Sequence, residues 1–119
     1  MPGLTLIVAT ADPDRFHAAL SLAAANAALG ERSRIFLQGE AAGLLRNASS
    51  PADAERTRHG VPTVAQLLDE ARALDVAIIA CQSGLALCGL SAESLPEGVT
   101  TAGLVQILST RGDDQLVFA

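Results

Sequence analysis

Two unbroken apolar runs, "LTLIVAT" from Leu4 to Thr10 and "VAIIA" from Val76 to Ala80, constrain this chain more than anything else in it. A strand with one face in water alternates apolar and polar residues, whereas runs without alternation belong to a sheet covered on both faces. A helical pattern follows each run. Leu4 to Thr10 leads into "ADPDRF", where Asp12 suits an N-cap and Pro13 takes the first helical position, at which its missing N–H costs nothing. The spacing predicts a helix from Pro13 to Leu29, stopped by Gly30. "RIFLQ", Arg34 to Gln38, reads as a second strand, with "EAAGLLRN" as a short helix behind it.

The second half repeats the alternation. "NASSPADAERTRHG", Asn47 to Gly60, is polar, carries Pro and Gly, and has almost nothing to bury, so a mobile surface loop is expected. A helix opens at "PTVAQLLDEARAL", where Thr63 and Gln66 have capping-box spacing. After the Val76 to Ala80 strand, "SGLALCG" reads as a short helix stopped by Gly89 and "SAESL" as a further helical turn. A brief strand at Val99 to Thr101, a helix from Ala102 to Ser109 and a last strand "QLVF", Gln115 to Phe118, complete the chain. This order implies a single three-layer α/β/α domain over residues 1–119, with a mostly parallel sheet of about five strands in flavodoxin-like layering.

In such a sheet, ligands and chemistry gather beyond the carboxyl ends of the strands. That edge is expected from Thr10 to Asp12, Gln38 to Glu40, Cys81 to Gly84 and Thr101 to Gly103. Cys81 is the chemically distinctive member. A thiol in the first turn of a helix faces free backbone N–H groups and the positive end of the helix dipole, a setting that favours the thiolate. Gln82 and Ser83 add side-chain donors, Gly84 lets another group approach the backbone, and Thr10, Asp12 and Gln38 complete the candidate binding set. The alternative is an inert cysteine that fills space, since free Cys is among the most buried residue types. The residues leave both readings open. Cys88 lies seven positions on, about 10 Å along a helix axis. A disulfide needs Cα atoms within about 7 Å, so an intact helix keeps the two apart, and Cys88 reads as an apolar contact on the sheet-facing side.

Composition narrows the function classes. At 119 residues the chain is long enough for a core without staples. Three Phe with no Trp or Tyr leave little for base stacking, and a net charge of −5 repels phosphate backbones and anionic lipid. Direct nucleic-acid and membrane binding are therefore not expected. Met1 to Leu4 lacks a basic leader pattern, and Ala18 to Leu29 is too short to span a bilayer, so a cytoplasmic protein is expected. Two cysteines in that setting argue against a structural disulfide. No G-x-G-x-x-G, P-loop or G-x-S-x-G is present. His17 and His59 lack partners at metal-ligand spacing, Asp69 and Glu70 read as a solvated helix face, and neither a metal nor a cofactor is expected. The first helix, "FHAALSLAAANAAL", has polar breaks only at His17, Ser21 and Asn26. A helix apolar all round is buried on more than one side, and in so small a chain the second cover is expected to be another copy.

Taken in order, "TADPDRFHAALSLAAANAALG", "SRIFLQGEAAGLL", "VPTVAQLLDEARAL" and "VAIIACQSGLALCGLSAESLPEGVTTAGL" resemble the DsrE/DsrF-like family over almost the whole chain. The most specific part is the Cys81 segment, in which a cysteine ends a strand, a short helix ends in Gly-Leu-Ser and "GVTTAGL" follows. The resemblance implies that Cys81 carries sulfur as a persulfide between a donor and an acceptor protein, with Gln82, Ser83 and Gly84 around it. It also implies a homotrimer or homohexamer. One departure stands out: where some members have a second cysteine three residues after the first, this chain has Gly84. Three functions follow as expectations: a sulfur carrier at Cys81, a non-catalytic oligomeric binding module using the strand-end pocket, or a thiol redox sensor.

Overall fold

The structure is a computed structural model that describes residues 3–119. Met1 and Pro2, the start of the segment read for a leader, lie outside the described residues. Five strands, β1 (Leu4–Val8), β2 (Ser33–Leu37), β3 (Ala77–Cys81), β4 (Thr100–Ala102) and β5 (Gln115–Phe118), form one sheet in the order β4-β3-β2-β1-β5. Every pairing is parallel, and the register aligns Val8 with Leu37, Leu37 with Ala80, and Cys81 with Ala102. All five carboxyl ends therefore share one edge.

The unbroken apolar runs have the expected cause. Alternate residues point to opposite faces of the sheet. Leu6, Val8, Ile35, Leu37, Ile78 and Ala80 join one buried cluster with α1 (Pro13–Ala28) and α3 (Val64–Ala73). Ile7, Phe36, Ile79 and Cys81 join a second cluster, on the other face, with Ala102 and Ile107. As the chain advances from β1 to β4, right-handed crossovers place α1 and α3 on one face. The return from β4 to β5 passes back over β3, β2 and β1, so the same handedness sends α5 (Leu104–Ser109) to the opposite face. That helix has six residues, of which only Ile107 is buried. A helix of this length covers about 9 Å, so the second layer is thin.

Several boundaries move, each for a physical reason. β1 ends at Val8, and Ala9 and Thr10 are exposed beyond it. Residues Gly39–Leu45 form a 3-10 helix and not an α-helix; it starts at Gly39 in the left-handed region (φ +57) and carries a second glycine, Gly43, which weakens α-helical continuity. α4 (Gln82–Leu87) starts immediately after Cys81. Ala102 belongs to β4, where it pairs with Cys81, so α5 opens at Leu104 with Gly103 as its N-cap.

The Asn47 to Gly60 segment is a larger correction. It contains α2 (Asp53–Arg58) and is anchored at a polar centre. The Asp53 carboxylate accepts the backbone N–H groups of Ser50 (2.9 Å) and Val64 (3.1 Å) and a guanidinium hydrogen of Arg56 (3.1 Å). Arg56 and the Ser50 hydroxyl also donate to Asp14 at 3.0 and 2.6 Å. The segment is thus held to the first turn of α1 and the start of α3 by polar bonds, which hydrophobic patterning does not register. Thr63 and Gln66 close the expected capping box.

α1 is not covered all round. Phe16, Ala19, Leu20, Ala23 and Ala24 are buried, whereas Ala18, Ser21, Leu22, Ala25 and Ala28 face outward. Exposed large apolar side chains include Leu22 and the C-cap Leu29 of α1, Leu87 on α4, Val105 and Leu108 on α5, and Phe118 on β5. Asp69 and Glu70 do lie on an exposed face. No helix among the described residues is long and apolar enough to cross a membrane.

Candidate functional site

Cys81 ends β3 and caps α4, with its sulfur accepting the Gly84 N–H at 3.4 Å. Two local features create that bond. Cys81 keeps strand geometry (φ −67, ψ 124) while the next residues turn into the helix. Gly84 then packs so closely on the preceding connection that a Cβ there would overlap the Gly39 carbonyl oxygen and lie 3.1 Å from the Ala42 Cβ. Only glycine lets the first turn of α4 sit this deep, with an N–H aimed at the sulfur. A donor in that position stabilises negative charge on sulfur, whether thiolate or persulfide.

Access is restricted. Because Cys81 shares the parity of Ile79, its side chain faces the thin layer, and the residue is 8% exposed. The other candidate residues spread along the same edge. Gln82 and Ser83 are exposed beside Cys81. Gln38 is half-buried and donates its backbone N–H to Val8 (2.9 Å), and the register puts it next to Cys81, one step past the Leu37–Ala80 pair. Thr10 and Asp12 follow β1, two strands from Cys81, a lateral separation of about 10 Å. Asp12 is occupied as the N-cap of α1, its carboxylate accepting the N–H groups of Asp14 (2.8 Å) and Arg15 (3.4 Å). The space over Gly84 belongs to Gly39 and Ala42. The edge therefore gathers Cys81, Gln82, Ser83 and Gln38, while Thr10 and Asp12 stand apart.

Cys88 is a correction to its sheet-facing reading. Its sulfur lies against the 3-10 segment, 3.8 Å from the Glu40 carbonyl oxygen, and the residue is half-buried. Both cysteines are free. His17 is turned to the Pro62 carbonyl, with its Nε2 2.9 Å away. Among the described residues no group of three or more His, Cys, Asp or Glu could hold a metal ion. A surface cleft lined by Asp69, Arg72, Asp75, Val76 and Glu97 lies at the start of β3. The strand separates it from Cys81 by about 16 Å.

A buried charged cluster escaped sequence reasoning. The Arg34 guanidinium donates to the Thr5 hydroxyl (3.1 and 3.0 Å), the Thr110 hydroxyl (2.9 Å) and the Ile107 carbonyl (3.2 Å). Asp114 accepts from Thr5 (2.9 Å) and, through both oxygens, from Arg32 (3.3 and 2.5 Å). Arg32 also reaches the Thr110 and Arg111 carbonyls at 3.3 and 3.0 Å. Burial pushes the Asp114 carboxyl up, but bonds from Arg32 and Thr5 and the two guanidinium charges outweigh it and hold the group below the ordinary carboxylate value. Burial and the Arg32 charge pull Arg34 below the ordinary arginine value, against the attraction of Asp114. The cluster ties the end of α5 to β1 and β2. Its signal was Thr5 and Arg34, polar residues at matching positions of two mostly apolar strands.

A fully parallel five-stranded sheet, heavily covered on one face and thinly on the other, with a cysteine capping a helix at the carboxyl end of β3, defines a small α/β protein built around a strand-end thiol. A family model described as the DsrE/DsrF-like family matches residues 4–118, and the chain belongs to that family. Solved structures share its fold. The YchN protein from E. coli is similar at a TM-score of 0.72 and 19% identity, with 100% of each chain covered. MTH1491 from Methanobacterium thermoautotrophicum is similar at 0.73 and 16%, again over 100% of each chain. BT1422 from Bacteroides thetaiotaomicron reaches 0.64 and 18%, covering 98% of this chain and 94% of its own. No curated protein matches the chain.

Proposed function

We propose that this DsrE-like protein is a cytoplasmic sulfur carrier that accepts persulfide sulfur on Cys81 and relays it to a partner protein. The observation that carries the reading is the Gly84 N–H directed at the Cys81 sulfur at the carboxyl edge of the sheet. In the loading step the Cys81 thiolate attacks the outer sulfur of a donor persulfide. The S–S bond of the donor breaks, the donor departs as a thiolate, and Cys81 retains the transferred sulfur as its own persulfide. The exchange involves no net oxidation. The reverse reaction on an acceptor thiolate unloads it. Gln82, Ser83 and Gln38 border the sulfur, and donor and acceptor proteins would dock against them. With a net charge of −5, the protein would reach any nucleic-acid substrate through those partners and not directly.

Incubation with glutathione persulfide, followed by mass spectrometry under native conditions, is expected to add one sulfur to the wild type and to Cys88→Ser. Cys81→Ser should lose that adduct completely. An adduct that survives Cys81→Ser, or a Cys81 that reacts only after denaturation, would overturn the carrier reading. The latter result would favour a non-catalytic binding module, for which the low exposure of Cys81 is the supporting observation.

The carrier is proposed to act as a homo-oligomer, a trimer or hexamer. Val105, Leu108 and Phe118, exposed on the thinly covered face, and Leu22 and Leu29 on the outer side and C-cap of α1 supply apolar surface for it. Sedimentation at micromolar concentration should show an assembly, and a clean monomer would count against it.

A further inference from the structure

We propose that α5 is a lid over Cys81, held at its carboxyl end and free to lift at its amino end. The proposal rests on the reading of Cys81 as the reacting thiol and adds how that thiol is reached. The sulfur belongs to the buried cluster that contains Ala102 and Ile107, with Leu104 packed against it. On the α4 side, Gly84 is pressed against the Gly39 carbonyl and Ala42, a contact between main-chain atoms. The α5 side is different. Ile107 is the only buried residue of that helix, Leu104 is partly covered, and Val105 is 82% exposed.

The two ends of α5 are fastened unequally. At the carboxyl end, Arg34 holds the Thr110 hydroxyl and the Ile107 carbonyl, and Arg32 holds the Thr110 and Arg111 carbonyls. Positive charge on these last carbonyls also complements the helix dipole. At the amino end, the Gly103 cap contributes no side-chain hydrogen bond, and β4 before it is a three-residue edge strand paired only with β3. Lifting the first turn gives up little packing beyond that of Leu104, whereas lifting the last turn breaks a buried ionic cluster. Opening therefore begins at the Gly103 end, which follows directly from Ala102, the register partner of Cys81.

The rate of Cys81 alkylation by iodoacetamide in the native protein reads this opening, with Cys88 as internal reference. Gly103 has an ordinary extended backbone (φ −98) and open space at its Cβ position. Gly103→Ser supplies a cap and is expected to slow Cys81 alkylation about threefold. Leu104→Ala should speed it about tenfold or more while the Cys88 rate stays constant. Val64→Ala, which loosens the opposite face, should speed Cys81 far less at a matched loss of thermal stability. Unchanged Cys81 rates in both α5 variants would overturn the lid. Equal acceleration by Val64→Ala would do the same, since global unfolding would then account for access. A Cys81 that is alkylated and gated in this way, yet never accepts sulfur from a persulfide, would sink the carrier reading and leave the lid standing.

Discussion

Asp114→Ala is expected to lower stability by about 3–5 kcal/mol, the cost of removing one partner from a buried ion pair. For a chain of this size that corresponds to a fall in Tm of about 10–20 °C. Asp114 closes a cluster that Arg34 cannot leave, because its guanidinium is fixed between β1, β2 and the end of α5. Removing the carboxylate strands that charge and frees the Thr5 hydroxyl and Arg32 together. The same group sets an acid limit. Its folded-state pKa is lowered, so its contribution is complete above the unfolded value of about 3.8 and is lost as pH falls through the folded one. Asp14 and Asp53 are lowered too and weaken in the same window. Thermal melts of wild type and Asp114→Asn should therefore stay a constant distance apart above about pH 4 and converge below it. A gap that widens on acidification would contradict the assignment.

Gly84→Ala is the second large effect. Its Cβ would overlap the Gly39 carbonyl oxygen and lie 2.9 Å from the carbonyl carbon, both main-chain atoms that no rotamer change can move. The first turn of α4 must then rise, at a cost of about 3 kcal/mol, the upper part of the range for overpacking. That movement also withdraws the Gly84 N–H from the Cys81 sulfur. The variant should lose stability in chemical denaturation and should also lose native thiolate reactivity at Cys81. Normal stability with normal reactivity would show that the contact relaxes easily and that the backbone donor has no chemical part.

The residues that revealed themselves in the sequence act through local rules. Asp12 and Pro13 open α1, Thr63 and Gln66 cap α3, and the runs around Ile7, Ile35 and Ile78 are strands because both of their faces are covered. Cys81 was legible as an edge residue because parallel strands carry their carboxyl ends to one side. Its burial was not, since the parity it shares with Ile79 does not say which face receives the thinner cover. Asp53 was missed because α2 buries no side chain and so has no apolar stripe to betray it. The Arg34 and Asp114 cluster joins residues 80 positions apart in sequence, a pairing that becomes local only after β5 has docked beside β1.

The position of β1 in the strand order has a consequence for synthesis and folding. β1 is flanked by β2, formed soon after it, and by β5, which follows all the other strands in sequence and pairs Leu4 with Gln115. A nascent chain that has not yet released residues 115–118 therefore carries Leu4–Val8, an unusually sticky strand, with one complete ladder of N–H and C=O groups open. The sheet closes only after residues 115–118 have emerged, through a contact of very high sequence separation that is slow to form. Until then the chain is exposed to pairing with other nascent copies along that edge.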